Sequence, residues 1–136
     1  MRIFNHYILV FVILILTIEL KATEPDSVQA QNLYNKAEML MKKGAFSEAM
    51  MEANVALKFY ESYLSEKHDQ VAKVYKMLGL ISSRIGETKD AIIFLSKVVD
   101  IHSSIDVNHP KLSSDLNNLA LGYTLEANYR MAIKIL

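Results

Sequence analysis

Two sets of small residues recur along this chain with one common period. The first set is Ala37, Gly79 and Ala120, and the second set is Ala49, Ala91 and Ala132. Consecutive members of each set lie 42 and then 41 residues apart (79 − 37 and 120 − 79 in the first set). Two helices approach closely only where a small side chain on one faces a larger side chain on the other. The period therefore predicts three stacked copies of an antiparallel helix pair.

Composition also favours an all-α fold. The chain has only four glycines and two prolines among 136 residues, so residues that interrupt helices are scarce. Within each copy, apolar residues recur three and four positions apart, which is the spacing of a helix face that packs on a core. The predicted helix pairs are about 27–43 with 47–64, 70–85 with 88–104, and 111–126 with 129–136.

The turn inside each pair has its own signature. Gly44 and Gly86 stand where the first helix of copies one and two must end. Glycine adopts the left-handed conformation of such ends at little cost. Ala127 takes this position in the third copy, so we expect the third turn to be strained or differently shaped.

Residues 1–22 differ from the repeats in residues 23–136. An unbroken apolar run extends from Tyr7 to Ile18, and Ala22 offers a small residue at a possible cleavage site. This layout is typical of a secretory signal peptide. Twelve helical residues span roughly 18 Å, short of the ~30 Å hydrocarbon core. The alternatives are a cleaved signal, an uncleaved membrane anchor, or an apolar helix packed on the repeats. The first two place the repeats outside the cytoplasm, secreted, periplasmic or membrane-anchored.

Charge and cysteine content exclude several function classes. Fifteen basic residues balance fifteen acidic ones, so no overall field favours nucleic acid or an anionic membrane surface. The chain contains no cysteine, which excludes disulfides, thiolate catalysis and thiolate zinc sites. No phosphate-binding glycine loop, nucleophile arrangement or metal-ligand motif occurs. We therefore predict a protein that is not an enzyme and uses no cofactor or metal.

The histidines of the repeats have structural interpretations. His68 and His109 lie 41 residues apart (109 − 68), just before the first helices of two copies, which favours a role at helix starts. His102 belongs to the apolar stripe of the fourth predicted helix. Asp100 and Ser103 lie near it in sequence, but close neighbours on a helix point in different directions. A catalytic triad is therefore not supported.

The third copy carries the most specific motif. His109 and Pro110 precede the sequence LNNLA at 116–120, and Tyr123 follows it. This is similar to the "HP … LNNLA … Y" opening of lengthened tetratricopeptide repeats, which occur in kinesin light chains and many bacterial repeat proteins. Copy two keeps the histidine but has Asp69 where proline would stand, and copy one lacks the motif. The resemblance covers about 27–136 and implies a right-handed α-solenoid.

The resemblance also implies a binding surface. First helices of such repeats line a concave groove that binds an extended peptide or a partner helix. The implied groove residues are Tyr34, Lys73, Lys76, Arg84, Asn117 and Asn118, with Gln31, Glu38, Leu80 and Leu121 beside them. In the family, asparagines often hydrogen-bond a ligand backbone and cations bind carboxylates. The ligand is then an acidic segment or a free C-terminus, unless these are ordinary solvated side chains.

The sequence ends on an apolar stretch, 131–136. Stacked repeats expose an apolar face at each end, which a polar capping helix normally covers. Either the chain is a piece of a longer protein, or a partner or second copy covers this face. The leading hypothesis is an exported scaffold that binds a protein or peptide. The alternatives are the N-terminal sensor part of a larger membrane-associated signalling protein or enzyme, and a small membrane-anchored assembly factor.

Overall fold

The computed structural model describes residues 26–136, which form six helices. They are α1 (Asp26–Lys42), α2 (Phe46–Tyr63), α3 (Asp69–Ile85), α4 (Thr88–Ile105), α5 (Leu112–Leu125) and α6 (Tyr129–Lys134). The observed ends differ from the sequence-based ones by at most two residues. The predicted signal segment lies outside the described residues. No helix within residues 26–136 is long and apolar enough to cross a bilayer.

The helices pack in consecutive pairs. α1 packs on α2, α3 on α4 and α5 on α6, while α2 contacts α3 and α4 contacts α5 between pairs. Successive pairs therefore stack in one direction, and the first helices α1, α3 and α5 lie on one side of the stack. The all-α solenoid of antiparallel helix pairs predicted from the period is confirmed.

Small residues permit the close helix contacts, as the period indicated. Ala37, Ala49 and Ala91 are fully buried. A Cβ added to Gly79 would lie 2.7 Å from Leu95 Cγ, closer than two carbon atoms can approach. Because glycine leaves that space free, α3 and α4 pack with the Leu95 side chain directly against the α3 backbone.

The turns behave as the glycine pattern predicts. Gly44 and Gly86 adopt left-handed backbone conformations, with φ of 77° and 83°. Ala127 adopts the same region with φ of 58°. An alanine is strained there because its Cβ crowds the following carbonyl, at a cost of about 1–2 kcal/mol. The expectation of a strained third turn is confirmed.

The apolar core has two parts. The larger part joins the first two repeats and includes Val71, Val74, Leu78 and Ile81 of α3. The smaller part joins the second and third repeats around Ile92, Leu95 and Leu119, with Tyr123 and Ile135 packed beside it. Fewer buried apolar side chains therefore attach the third repeat, and polar contacts make up much of the remaining interface.

Candidate functional site

The predicted groove residues lie on the three first helices of the stack. Tyr34 is on α1, and Asn117 and Asn118 are on α5. Lys73, Lys76 and Arg84 follow one side of α3. Each of the six side chains is at least partly accessible. Burial, and then the nearby Glu38 carboxylate, raises the pKa of the Tyr34 hydroxyl above its ordinary value, so this tyrosine stays neutral at physiological pH.

Two of the predicted ligand-binding cations already contact carboxylates of the chain itself. Lys76 Nζ lies 2.8 Å from Asp115 Oδ1 of α5 and also donates to Ser114 Oγ at 3.5 Å. Lys73 Nζ lies 3.7 Å from Asp69 Oδ2, one turn away on α3. Arg84 is exposed and makes no ion pair with any residue of 26–136. The three cations are therefore not equivalent.

Asp115 belongs to a buried polar network that joins the second and third repeats. Its side chain is 1% exposed, and its Oδ2 lies 2.6 Å from Nδ1 of His102, which is 2% exposed. The other ring nitrogen, Nε2, lies 3.2 Å from Asp69 Oδ1. Lys111 Nζ closes the network at 2.6 Å from the same Asp69 oxygen. Every carboxylate in this network thus has a cation beside it.

Helix ends explain why these charges meet here. Asp69 lies in the first turn of α3 and Asp115 in the first turn of α5, whereas His102 lies in the last turn of α4. Carboxylates are stabilised by the positive end of a helix dipole, and cationic groups by the negative end. The stack places two helix starts beside one helix end, so the acidic side chains at the starts face the basic side chain at the end.

The surroundings of Asp69 favour its charged form. Burial alone raises the pKa of this carboxyl, but the hydrogen bond and charge of Lys111, the charge of Lys73 and the bond to His102 outweigh burial. The pKa of Asp69 therefore lies below its ordinary value. His102 faces two carboxylates, and a neutral imidazole has only one N–H to donate. With a neutral ring, only one of the two contacts is therefore a hydrogen bond, and the other carboxylate relies on its neighbouring lysine.

His109 lies over this network. Its ring stacks on the His102 ring with centroids 4.2 Å apart and planes 10° from parallel. Its Nδ1 accepts a long hydrogen bond of 3.3 Å from the Lys111 backbone N–H, as Nδ1 of His68 accepts from the Gln70 N–H at 3.1 Å. The helix-start role predicted for both histidines agrees with these bonds. Only His109 also joins a cluster that could ligate a metal, with Asp69 and His102.

Solved structures of similar shape identify the fold. BtubC (BKLC) from P. vanneervenii superposes with a TM-score of 0.74 at 20% identity, over 79% of this chain and 43% of that chain. The TPR domain of Arabidopsis FLU superposes with a TM-score of 0.73 at 20% identity, over 82% of this chain and 91% of that domain. The fold is that of tetratricopeptide repeats. This chain spans less than half the length of BtubC. By sequence it matches no protein-family model and no curated protein.

In this tetratricopeptide fold, the last helix leaves an apolar end face. Leu125, Tyr129, Ile133 and Leu136 are all more than half exposed. The sequence predicted such a face at residues 131–136. Ile133 and Leu136 there are accessible, whereas Ala132 is buried and Ile135 packs beside the smaller core. Its coverage by a second copy or a partner stays a prediction.

Sequence reasoning missed the polar network of the repeat fold. It compared His102 only with its sequence neighbours Asp100 and Ser103, but the partners of His102 lie on two other helices. The Ser103 hydroxyl instead donates to carbonyl oxygens of its own helix. The repeat did contain one signal of this network. Asp115 stands 41 residues after Val74 (115 − 74), a fully buried position of the preceding copy. A carboxylate at such a position needs a buried partner.

Proposed function

We propose that this protein is an exported, non-enzymatic scaffold that binds an extended peptide or a partner protein along the groove of its repeats. One observation supports this most directly. The three first helices each carry accessible side chains, and all ten predicted groove residues are at least partly accessible. Stacked helix repeats bind their ligands on an extended surface of this kind.

The charge arrangement favours one end of the groove for an acidic ligand. Lys73 and Lys76 already lie near carboxylates of the chain, so binding a ligand there would require breaking existing contacts. Arg84 lies beside a depression of about 340 Å³ lined by Met41, Lys42, Gly44, Phe46, Leu80 and Arg84. Its guanidinium can hold a carboxylate through two parallel hydrogen bonds. The apolar lining suits an adjacent aliphatic or aromatic side chain of the ligand.

The titratable groups support a non-catalytic role. His102 and Asp115 are almost completely buried, and Lys76 and Lys111 bind the carboxylates of the network. The Ser103 and Ser104 hydroxyls donate to the backbone of their own helix. A hydroxyl whose proton is donated to a backbone carbonyl is not held by a base that could activate it as a nucleophile.

Export is proposed from the apolar run at 7–18. We would express the whole chain with a C-terminal tag and determine its mature N-terminus and its compartment. Cleavage near Ala22 with release from the membrane supports a soluble exported scaffold, and an intact Met1 in the membrane fraction supports an anchored one. Recovery of uncleaved chain from the cytoplasm would contradict both.

Binding can be tested with a charge reversal in the groove. The probe is a fluorescein-labelled peptide of alternating Glu and Leu with a free C-terminus, compared with a Lys and Leu counterpart. Arg84→Glu should weaken capture of the acidic probe by about tenfold or more, since a favourable charge contact becomes repulsive. Lys58→Glu makes the same charge change on an exposed position of α2 and should leave affinity unchanged. Equal affinity of wild type and both variants would rule out the groove proposal.

A further inference from the structure

We propose that Asp69, His102 and His109 form a binding site for a transition-metal ion such as zinc(II) at the junction of the second and third repeats. One carboxylate oxygen and one ring nitrogen from each histidine lie within 4.8 Å of one another. The three residues come from the start of α3, the end of α4 and the loop before α5. A shared ion would therefore fasten three segments together.

His102 has the environment of a metal ligand. Its Nδ1 lies 2.6 Å from the buried carboxylate of Asp115, and Lys76 holds the other oxygen of that carboxylate at 2.8 Å. A histidine that binds a metal commonly donates its second ring N–H to a carboxylate in this way, which fixes the tautomer and ring orientation. With the proton on Nδ1, the Nε2 lone pair points towards Asp69.

The spacing of His102 and Asp69 fits two ligands of one ion. Nε2 and Oδ1 are 3.2 Å apart, and without a proton or cation between them their lone pairs repel. Tetrahedral zinc has bonds of about 2.0–2.2 Å, which places neighbouring ligand atoms roughly 3.3–3.5 Å apart. The observed distance is thus close to an edge of that tetrahedron. The competing explanation is a second proton on His102, and metal titration distinguishes the two.

Two adjustments complete the site. The His109 ring is parallel to the His102 ring, so it must tilt for both rings to point at one ion. His109 lies in a loop, where such a tilt breaks the long bond to the Lys111 N–H and gives up the parallel stacking on His102. The Lys111 ammonium already occupies the Asp69 oxygen at 2.6 Å, but its side chain is 45% exposed and can move into solvent. Water would supply the fourth ligand.

The ligand set selects the kind of metal. Two imidazoles and one carboxylate suit zinc, cobalt, nickel or copper, whereas magnesium and calcium prefer oxygen ligands throughout. Lys111 competes with the metal for Asp69. Its removal should therefore raise metal affinity, an effect that a purely structural cluster would not show.

The test uses the full chain after treatment with a chelator and then dialysis. We would titrate zinc chloride by calorimetry and cobalt chloride by visible absorption. Wild type should bind one ion per chain, and His109→Gln should weaken binding at least tenfold. His68→Gln removes the equivalent, exposed histidine of the second repeat and should leave binding unchanged. Lys111→Met should bind zinc several-fold more tightly than wild type.

Two results would overturn the site. One is the absence of zinc binding in both wild type and Lys111→Met while circular dichroism shows both chains folded. The other is equal weakening by His109→Gln and His68→Gln, which would mean that the metal binds surface histidines at random.

Discussion

The two junctions between consecutive repeats occupy equivalent places in the stack but differ in chemistry. Tyr60 and Val74 at the first junction lie 42 and 41 residues before His102 and Asp115 at the second (102 − 60 and 115 − 74). Tyr60 and Val74 belong to the larger apolar cluster. His102 and Asp115 instead contact each other and charged side chains. One backbone geometry thus accepts either an apolar or an ionic junction.

The difference affects how each junction responds to damage. At the first junction, loss of a side chain removes a limited amount of buried apolar surface, and neighbours relax partly into the space. At the second junction, loss of one charge leaves another charge buried without its partner. Desolvation cancels much of the attraction of an intact buried pair, but a broken pair retains the full desolvation cost. The polar junction should therefore be the more easily disrupted of the two.

The largest effect should follow removal of the Asp115 carboxylate. Asp115→Ala leaves buried His102 without its acceptor and Lys76 without its partner, and should lower the free energy of unfolding by about 3–5 kcal/mol. Val74→Ala is the matched change at the first junction and should cost about 2 kcal/mol. Chemical denaturation with chelator present measures both. Equal losses would contradict the distinction between the junctions.

The two junctions can also be compared by giving the second one the side chains of the first. His102→Tyr combined with Asp115→Val places the side chains of the first junction at the second. Lys76 and Asp69 remain partly exposed, so water can solvate them. This double variant should recover most of the stability lost in Asp115→Ala, because buried ion pairs can be replaced by packed apolar groups at little cost. A double variant no more stable than Asp115→Ala would show that the second junction cannot accommodate apolar packing.

A smaller effect is expected at the turns, where the third repeat again departs from the others. Ala127→Gly relieves a left-handed alanine and should raise the free energy of unfolding by about 1 kcal/mol, less the added flexibility of the unfolded chain. Gly86→Ala introduces the same strain in the second repeat and should lower stability by a similar amount. Thermal unfolding of both variants measures these two changes in stability. Shifts of the same sign would mean that the two turns are not equivalent.

Local pattern was sufficient to predict the helices, the close-packing residues and the turns. Each of these features depends on residues that are near in sequence, such as Gly79 within its helix or Gly86 at a helix end. The repeat also shows every feature in three copies. The polar network depends on pairs that are far apart. Asp69 and His102 are 33 residues apart, and nothing in the sequence near either residue indicates the other.

The same reason limits the groove prediction. The sequence predicted Lys73 and Lys76 to be free cations on the accessible side of a helix. For Lys76 this failed because the carboxylate it binds lies 39 positions further along the chain, on another helix. Only the stacked structure brings Asp115 beside it. Arg84 has no such partner in residues 26–136, so its predicted availability to a ligand is consistent with its surroundings.

The smallest expected effect is a pH dependence confined to the second junction. Folding lowers the pKa of Asp69, so the folded chain binds this proton less tightly than the unfolded chain. The resulting stabilisation is fully present above the unfolded value of about 3.9 and is lost as pH falls through the lower folded pKa. Asp69 is 35% exposed, and solvent screening should keep its contribution below about 1 kcal/mol.

Asp69→Asn measures this contribution, with chelator present to exclude any metal. The variant should be less stable than wild type at neutral pH, and the difference should shrink towards zero as the Asp69 carboxyl becomes protonated in acid. Asp90→Asn removes an exposed carboxylate from the first turn of α4 and controls for the helix dipole alone. A difference between wild type and Asp69→Asn that persists unchanged into acid would assign the role of Asp69 to packing, because a protonated carboxyl no longer attracts Lys111.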